Sequence, residues 1–165
     1  MKTKVKAITI HSTPKKVFAY MDNLGNTGMH MMESSIMMMC SKLHLEQISK
    51  NATGLGATFR WFGKVMGFKM DFTVEVTTWI ENEEKVWETV GDAKMIILGW
   101  YRMRLILDPT ADGTNAELSI EYTKPPQFLY RIISFFLSSW YANWCLRNML
   151  NDTKKHFETL PSIYF

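Results

Sequence analysis

The chain has 165 residues, of which 47% are hydrophobic and 13% aromatic, and 19 basic against 16 acidic side chains leave a net charge of +3. One domain of this length buries about 70% of the surface that its unfolded chain exposes, and so apolar a composition excludes a disordered protein. No run of basic residues could track a phosphate backbone, so nucleic acid is not an expected partner. We expect a single domain, residues 1–165, with a large apolar interior.

The amino terminus and the cysteines bear on where the protein works. Residues 1–6 carry three lysines, as a secretory signal does, but the apolar stretch that should follow them is missing. We therefore expect a cytoplasmic protein in which Cys40 and Cys145 stay reduced. The two cysteines lie far apart and form no Cys-x-x-Cys unit, so neither zinc nor redox chemistry is indicated.

The first predicted elements are a strand and a short helix. Residues 5–11 alternate as a strand does, with Ile8 and Ile10 toward the core. Residues 12–14, Ser-Thr-Pro, predict a helix start, because a hydroxyl can cap free N–H groups and proline fits the first helical position. The helix over 15–22 is expected to bury Val17, Phe18 and Met21. Residues 23–32, with two glycines and two asparagines, predict a loop or a broken helix.

Six further strands follow, joined by turns rich in Gly, Asn and Asp. We expect them at residues 34–49, 57–63, 67–79, 85–91, 95–107 and 115–122. Strand 67–79 shows the clearest alternation, with one apolar and one polar face. Because no helix alternates with these strands, the sheet should be antiparallel and the class α+β.

The chain ends in a long helix over residues 126–159. Its expected inward stripe consists of Leu129, Ile133, Phe136, Trp140 and Trp144. The segment 128–146 is apolar enough to suggest a membrane span. Arg131 and Asn143 interrupt it, however, and the amphipathic pattern continues beyond it, which favours a helix packed on the sheet.

Two hairpins allow the register of the sheet to be predicted. In the first, Gly63 pairs with Phe68, Trp61 with Met70, Phe59 with Phe72, and Arg60 with Asp71. In the second, Tyr101 pairs with Tyr122, Met103 with Ile120, Leu105 with Leu118, and Arg102 with Glu121. Both registers give one apolar face and one charged face. They predict that Arg60, Arg102 and Arg104 are exposed charges on the outer surface of the sheet.

Three sequence segments resemble a known superfamily. Residues 8–22 read ITIHSTPKKVFAYMD, Gly56 precedes the third strand, and Asp108-Pro109 with Gly113-Thr114 form the penultimate hairpin. With the order of elements, they resemble the SRPBCC superfamily of START-like or polyketide cyclase-like helix-grip domains over nearly the whole chain. The resemblance implies a curved seven-stranded sheet gripping a long C-terminal helix, with one or two short helices after the first strand. It also implies a deep cavity for lipids, sterols or polyketides, although its members differ in activity.

The cavity is the strongest predicted functional feature, and its alternative is a solid core without a pocket. The expected inward side chains of the sheet are Phe59, Trp61, Met70, Phe72, Val74, Tyr101, Met103, Leu105, Leu118, Ile120 and Tyr122. The expected side chains of the helix are Ile133, Phe136, Trp140 and Trp144. Tyrosine O–H and tryptophan N–H groups would orient a ligand there, since such groups seek partners when buried.

Methionine is unusually frequent, with 13 residues, and six of these lie between Met29 and Met39 beside His30 and Cys40. Thioether, imidazole and thiolate groups together suit Cu(I). Strand alternation, however, would send Met39 inward and Met38 outward, which splits the cluster between two faces. We therefore expect no metal and no cofactor, and interpret Met39 and its neighbours as the lining of an adaptable apolar pocket.

Acid–base groups are sparse. His30 and Glu33 lie near the expected mouth of the cavity and are weak candidates for proton transfer. His44 should face solvent, and His156 lies in the polar end of the last helix. No Ser-His-Asp set, zinc-protease motif or glycine-rich phosphate loop is present in the sequence.

These features predict a carrier or sensor that binds a hydrophobic or amphipathic small molecule, such as a lipid or polyketide. The ligand would enter between residues 23–32 and the final helix. The alternative is a cyclase- or dehydrase-like enzyme that acts on a polyketide-type substrate in the same cavity with His30, Glu33 or a tyrosine. Apolar residues expected on the outer face of the helix would form a homodimer contact or a transient membrane contact. They are Phe128, Phe135, Tyr141 and Cys145.

Overall fold

Seven antiparallel strands and four helices make up the regular structure of residues 1–32, 42–65 and 67–159, the part of the chain described by a computed structural model. In chain order they are β1 (Lys2–Ile10), α1 (Pro14–Asp22), α2 (Leu24–Thr27), α3 (Met29–Met32), β2 (Lys42–Gln47), β3 (Thr58–Val65), β4 (Phe68–Ile80), β5 (Glu84–Lys94), β6 (Tyr101–Thr110), β7 (Gly113–Tyr122) and α4 (Phe128–Glu158). The strand order is β1-β7-β6-β5-β4-β3-β2. The predicted α+β class is confirmed.

The first helix begins at the predicted Ser-Thr-Pro start, and two short helices follow it. Thr13 precedes α1 in an extended conformation and Pro14 occupies the first turn, although the Thr13 side chain makes no capping hydrogen bond. The Asn23 side chain caps α2 by accepting a hydrogen bond of 2.8 Å from the amide of Gly25. Residues 23–32 therefore form a broken helix, one of the two predicted forms.

The predicted register is confirmed in one hairpin and wrong in the other. Strands β6 and β7 pair Tyr101 with Tyr122 and the following positions as expected. Between β3 and β4, Trp61 lies opposite Phe72 rather than Met70, because pairing continues to Val65 and Phe68 and leaves a shorter loop than expected. A slip of two residues leaves every side chain on its predicted face, since strands have a period of two.

The three arginines lie on the outer surface of the sheet, as predicted. Their side chains are half-exposed, and each forms an ion pair with a neighbouring carboxylate. The pairs are Arg60 with Asp71, Arg102 with Glu88, and Arg104 with Glu84. Arg60 reaches Asp71 diagonally, with Nε 2.8 Å from Oδ1 and Nη2 2.6 Å from Oδ2, so this ion pair survives the change of register.

Two predicted strands differ from the observed ones at one end. Strand 34–49 ends at Gln47 as β2, Lys42–Gln47, and its first half falls on residues 33–41, which lie outside the described part. Strand 95–107 begins only at Tyr101, because residues 95–98 form a buried irregular segment. That segment ends at Gly99, whose amide donates to the Thr123 carbonyl at 2.9 Å. A Cβ at Gly99 would lie 2.5 Å from the Lys124 carbonyl oxygen, so the close approach requires glycine.

Helix α4 covers one side of the sheet. It packs against β1 and β7 and contacts α1, α2 and α3. Its buried residues are Ser134, Ser138, Ala142, Trp144, Cys145, Leu146, Met149, Leu150 and Thr153. In the described part of the chain, neither α4 nor any other helix has an apolar stretch that could cross a membrane.

A buried ion pair fixes the end of α1 to the sheet. Lys85 of β5 is fully buried, and its Nζ lies 2.7 Å from Oδ1 of Asp22. Lys85 Nζ also donates to the Asp22 carbonyl oxygen, and Trp79 Nε1 donates to Asp22 Oδ2 at 3.0 Å. Asp22 is the last residue of α1, and a cation at the C-terminal end of a helix also interacts favourably with the helix dipole.

Close packing of a glycine against a tryptophan holds the C-terminal end of α2 on the sheet. Trp61 of β3 is 3% exposed and lies against Gly28, where an added Cβ would come within 2.4 Å of the indole ring. The helical segment from α1 to α2 is therefore held at two points, by Asp22–Lys85 and by Gly28–Trp61.

Candidate ligand-binding interior

The sheet presents the predicted apolar surface toward α4. No residue of the expected sheet lining is more than 8% exposed. These residues are Phe59, Trp61, Met70, Phe72, Val74, Tyr101, Met103, Leu105, Leu118, Ile120 and Tyr122. Their inward placement is confirmed, and their contact with a ligand stays a prediction.

The predicted inward stripe of α4 is wrong in the first half of the helix. Phe136 is 72% and Trp140 45% exposed, whereas Ile133 is half-buried and Trp144 is buried. Apolar side chains occur all round this half of α4, so their spacing does not determine its rotation. The residues that α4 buries in this half are small instead. They are Ser134, Ser138 and Ala142.

Two residues expected on the outer face lie inside instead. Cys145 is a free, buried thiol, and Tyr141 forms a hydrogen bond with it one helical turn earlier. Both interact electrostatically with Tyr101 of β6. The Tyr101 ring meets the edge of Phe72, with ring centroids 6.0 Å apart. Sheet and helix thus bring a group of protic side chains together in an apolar setting.

This group extends along both elements. On α4, Ser134, Ser138, Tyr141 and Cys145 follow one another at intervals of four, three and four residues, so they lie on one stripe. On the sheet, Tyr122 lies directly opposite Tyr101. We call these six side chains the interior protic row.

Three hydroxyls of the interior protic row are unpaired. Tyr122 is 1% exposed, and Ser134 and Ser138 are fully buried. Among the described residues, none of these hydroxyls forms a hydrogen bond. Such groups are rare in folded proteins, because a buried polar group without a partner loses its hydrogen bonds to water without replacement. Neither serine is among the site residues predicted from the sequence, although two serines four residues apart inside an apolar helix are visible in it.

Comparisons with known proteins identify the fold. No family model and no curated protein sequence matches the chain. Among solved structures, TTHA0849 from Thermus thermophilus has a TM-score of 0.72 at 15% identity, with 98% of this chain and 100% of that chain covered. The chain has the helix-grip fold.

Two further solved structures have the same helix-grip architecture. For Ara h 8.0201 the TM-score is 0.62 at 12% identity, with 96% of this chain and 98% of that chain covered. For the ginseng major latex-like protein 151 from Panax ginseng it is 0.60 at 13% identity, with 94% and 97% covered. At such low identity the likeness establishes the fold and leaves the function to the residues of this chain.

Burial keeps Tyr101, Tyr141 and Cys145 of the helix-grip interior protonated. It raises the pKa of the Cys145 thiol from 9.0 to about 12, although the Tyr141 hydrogen bond opposes the rise. Burial also raises the pKa of Tyr101 and of Tyr141 above the usual 10.0. At neutral pH all three are hydrogen-bond donors, and Cys145 is not a thiolate nucleophile.

These raised pKa values predict a loss of stability in alkaline solution. The unfolded chain releases the Cys145 proton near pH 9, whereas the folded chain holds it to about pH 12, so the free energy of unfolding should fall as the pH rises between these values. Chemical denaturation across this range should show a shallower fall for Cys145→Ser. Identical slopes in both proteins would contradict the predicted pKa.

The candidate acid–base pair His30 and Glu33 stays a prediction. His30 lies in α3, but its side chain, Glu33 and the predicted lining residue Met39 are outside the described residues. His44 is exposed and stacks on Phe62, which confirms its predicted orientation. His156 is exposed and stacks on Tyr20, with ring centroids 4.1 Å apart.

Proposed function

We propose that the chain is an SRPBCC-type protein that binds a hydrophobic or amphipathic small molecule, such as a lipid or polyketide, between the sheet and α4. Its role would be that of a carrier or sensor. The observation that carries the proposal is the set of unpaired, buried hydroxyls of Tyr122, Ser134 and Ser138. A ligand with polar atoms on an apolar body would supply the missing partners.

The chemistry of the interior supports an amphipathic ligand. Apolar side chains of the sheet would contribute roughly 25 cal/mol per Å² of buried apolar surface, and a few polar groups would fix the orientation. Tyr101 and Tyr141 are donors, because their raised pKa values keep them protonated. Carbonyl or hydroxyl oxygens spaced along an apolar chain or ring system would match this surface.

The same protonation states favour binding over catalysis. A general acid or base works best when its pKa lies near the working pH, whereas the pKa values of Tyr101, Tyr141 and Cys145 are raised well above neutral pH. In a carrier, His30→Gln and Glu33→Gln should leave ligand affinity nearly unchanged. Loss of turnover of a polyketide-type substrate in these two variants, with affinity retained, would instead support the cyclase or dehydrase alternative.

Native mass spectrometry of the protein purified from its own source should identify a copurifying apolar molecule. Release of that molecule by organic solvent, followed by rebinding to the stripped protein, would show that it is a ligand. Protein that carries no such molecule and does not bind the apolar probe 1-anilinonaphthalene-8-sulfonate would contradict the proposal.

Replacement of the unpaired serines should separate stability from binding. Ser134→Ala and Ser138→Ala should each raise the free energy of unfolding of the unliganded protein by about 1 kcal/mol, because each removes a buried hydroxyl without a partner. The same changes should weaken binding of the copurified ligand. Ser139→Ala, on the same helix but outside the interior protic row, is the matched control. Unchanged affinity in both interior variants would count against a ligand at these hydroxyls.

A further inference from the structure

The first half of α4 exposes a large apolar surface. Its members are 45–80% exposed, and we call them the outer aromatic face. They are Phe128, Leu129, Ile132, Phe135, Phe136 and Trp140. The rings of Phe135 and Phe136 contact each other edge to face, with centroids 5.1 Å apart. Contiguous apolar surfaces of this kind mark sites of interaction with proteins or membranes.

Positive charge borders the outer aromatic face. Lys124 Nζ lies 4.8 Å from the centre of the Phe135 ring. Lys124 and Arg131 line a groove of about 450 Å³ together with Phe128, Ile132, Phe135 and Phe136. The sequence from 123 to 151 contains no aspartate or glutamate. The exposed part of the helix therefore combines aromatic rings with cations and carries no acidic residue.

The tip of the β3–β4 hairpin adds two more cations at the same end of the molecule. Phe68 at this tip contacts Tyr130 of α4, with ring centroids 5.7 Å apart. Lys64 and Lys69 are exposed and lie directly opposite each other. Like charges in this arrangement repel each other, and an anionic surface beside them would relieve the repulsion.

We propose that the outer aromatic face docks on the surface of a lipid bilayer that contains anionic lipids. The aromatic rings would enter the boundary between headgroups and acyl chains, and Lys124 and Arg131 would contact lipid phosphates. The interaction is peripheral, since no described helix can cross a membrane. It goes beyond ligand binding and does not depend on it.

Charge favours a bilayer over a second copy of the chain. A two-fold symmetric dimer through this face would bring the same surface of each copy together. Lys124 and Arg131 of both copies would then meet without an acidic residue between 123 and 151 to neutralise them. An anionic bilayer supplies the opposite charge over the whole face.

Cosedimentation with vesicles tests the proposal. The protein should bind vesicles of phosphatidylcholine mixed with phosphatidylglycerol more tightly than vesicles of phosphatidylcholine alone, and salt should weaken the binding. Lys124→Gln and Arg131→Gln should each weaken it about fivefold, the effect of one cation near an anionic surface. The double variant Phe135→Ser with Phe136→Ser should abolish it.

Matched controls lie at the opposite end of β3. Leu55 is 69% exposed and Lys50 is also exposed, so Leu55→Ser and Lys50→Gln remove an apolar and a charged surface residue away from the hairpin tip. Both should bind vesicles like the unmodified protein. If the double phenylalanine variant fails to fold by circular dichroism, the two charge variants still decide the question, since they leave the apolar surface intact.

Several results would overturn the proposal. They are no binding to either vesicle, equal binding to neutral and anionic vesicles, and equal losses in the control variants. Light scattering that shows a dimer dissociated by Phe135→Ser, without vesicle binding, would assign the face to a second copy of the chain and also overturn it.

Discussion

Replacement of Asp22 by asparagine is expected to lower the free energy of unfolding by about 3–5 kcal/mol, because it leaves a buried cation without its counter-charge. Lys85 is fully buried, and the Asp22 carboxylate 2.7 Å away is its ionic partner. Chemical denaturation of Asp22→Asn measures the loss. The adjacent surface pair provides a matched control, since Glu84→Gln removes a half-exposed ion pair with Arg104 and should cost at most about 1 kcal/mol.

The destabilisation of Asp22→Asn should also depend on pH. Burial lowers the pKa of Lys85 from 10.5, and the Asp22 carboxylate opposes that shift. Without the carboxylate the folded protein should hold this proton still more weakly than the unmodified folded protein does. The difference in unfolding free energy between variant and unmodified protein should therefore shrink as the pH approaches 10.5. A difference no larger than that of Glu84→Gln, at any pH, would contradict the role of the ion pair.

Replacement of Trp61 by alanine is expected to cost about 3–5 kcal/mol of unfolding free energy, since it empties a large buried volume. Trp61 is 3% exposed, and its ring lies against Gly28 at the end of α2. The same contact can be tested from the other side. A Cβ added by Gly28→Ala would lie 2.4 Å from the indole ring and 2.8 Å from the Leu24 carbonyl oxygen, so it should also destabilise the protein.

A second tryptophan controls for the loss of indole surface. Trp140 is 45% exposed, so Trp140→Ala should cost less than Trp61→Ala. Urea denaturation followed by circular dichroism measures all three variants. Equal losses at Trp61 and Trp140 would show that the contact with Gly28 does not hold α2 on the sheet.

The sequence predicts side-chain faces in this fold more reliably than positions along a strand. Alternation places Phe59, Trp61 and Phe72 inward, and it does so whichever partner each residue meets across the sheet. The exact partner depends on the turn between β3 and β4, and a change of two residues in the turn alters the register without altering the pattern. The β6–β7 register is predicted correctly because the faces and the turn residues agree.

The orientation of α4 about its own axis depends on tertiary packing. The same holds for the environment of its buried, unpaired serine hydroxyls. Phe136 and Trp140 are as apolar as the residues that α4 buries, so a ranking by hydrophobicity does not exclude them from the interior. The decisive residues are small: α4 buries Ser134 and Ser138, while the larger Phe136 and Trp140 stay exposed. The sequence likewise places Lys85 in a strand without indicating its buried partner, since Asp22 lies 63 residues earlier in the chain.

The lysines of β1 have a consequence for self-association. Within the described residues this strand is at the edge of the sheet and pairs with β7 alone, and Lys2, Lys4 and Lys6 recur along it at every second position. Charges repeated along a free edge oppose strand-by-strand joining of two molecules. Replacement of these lysines by threonine should therefore promote fibril-like aggregation of this protein at high concentration, an outcome that thioflavin fluorescence would report.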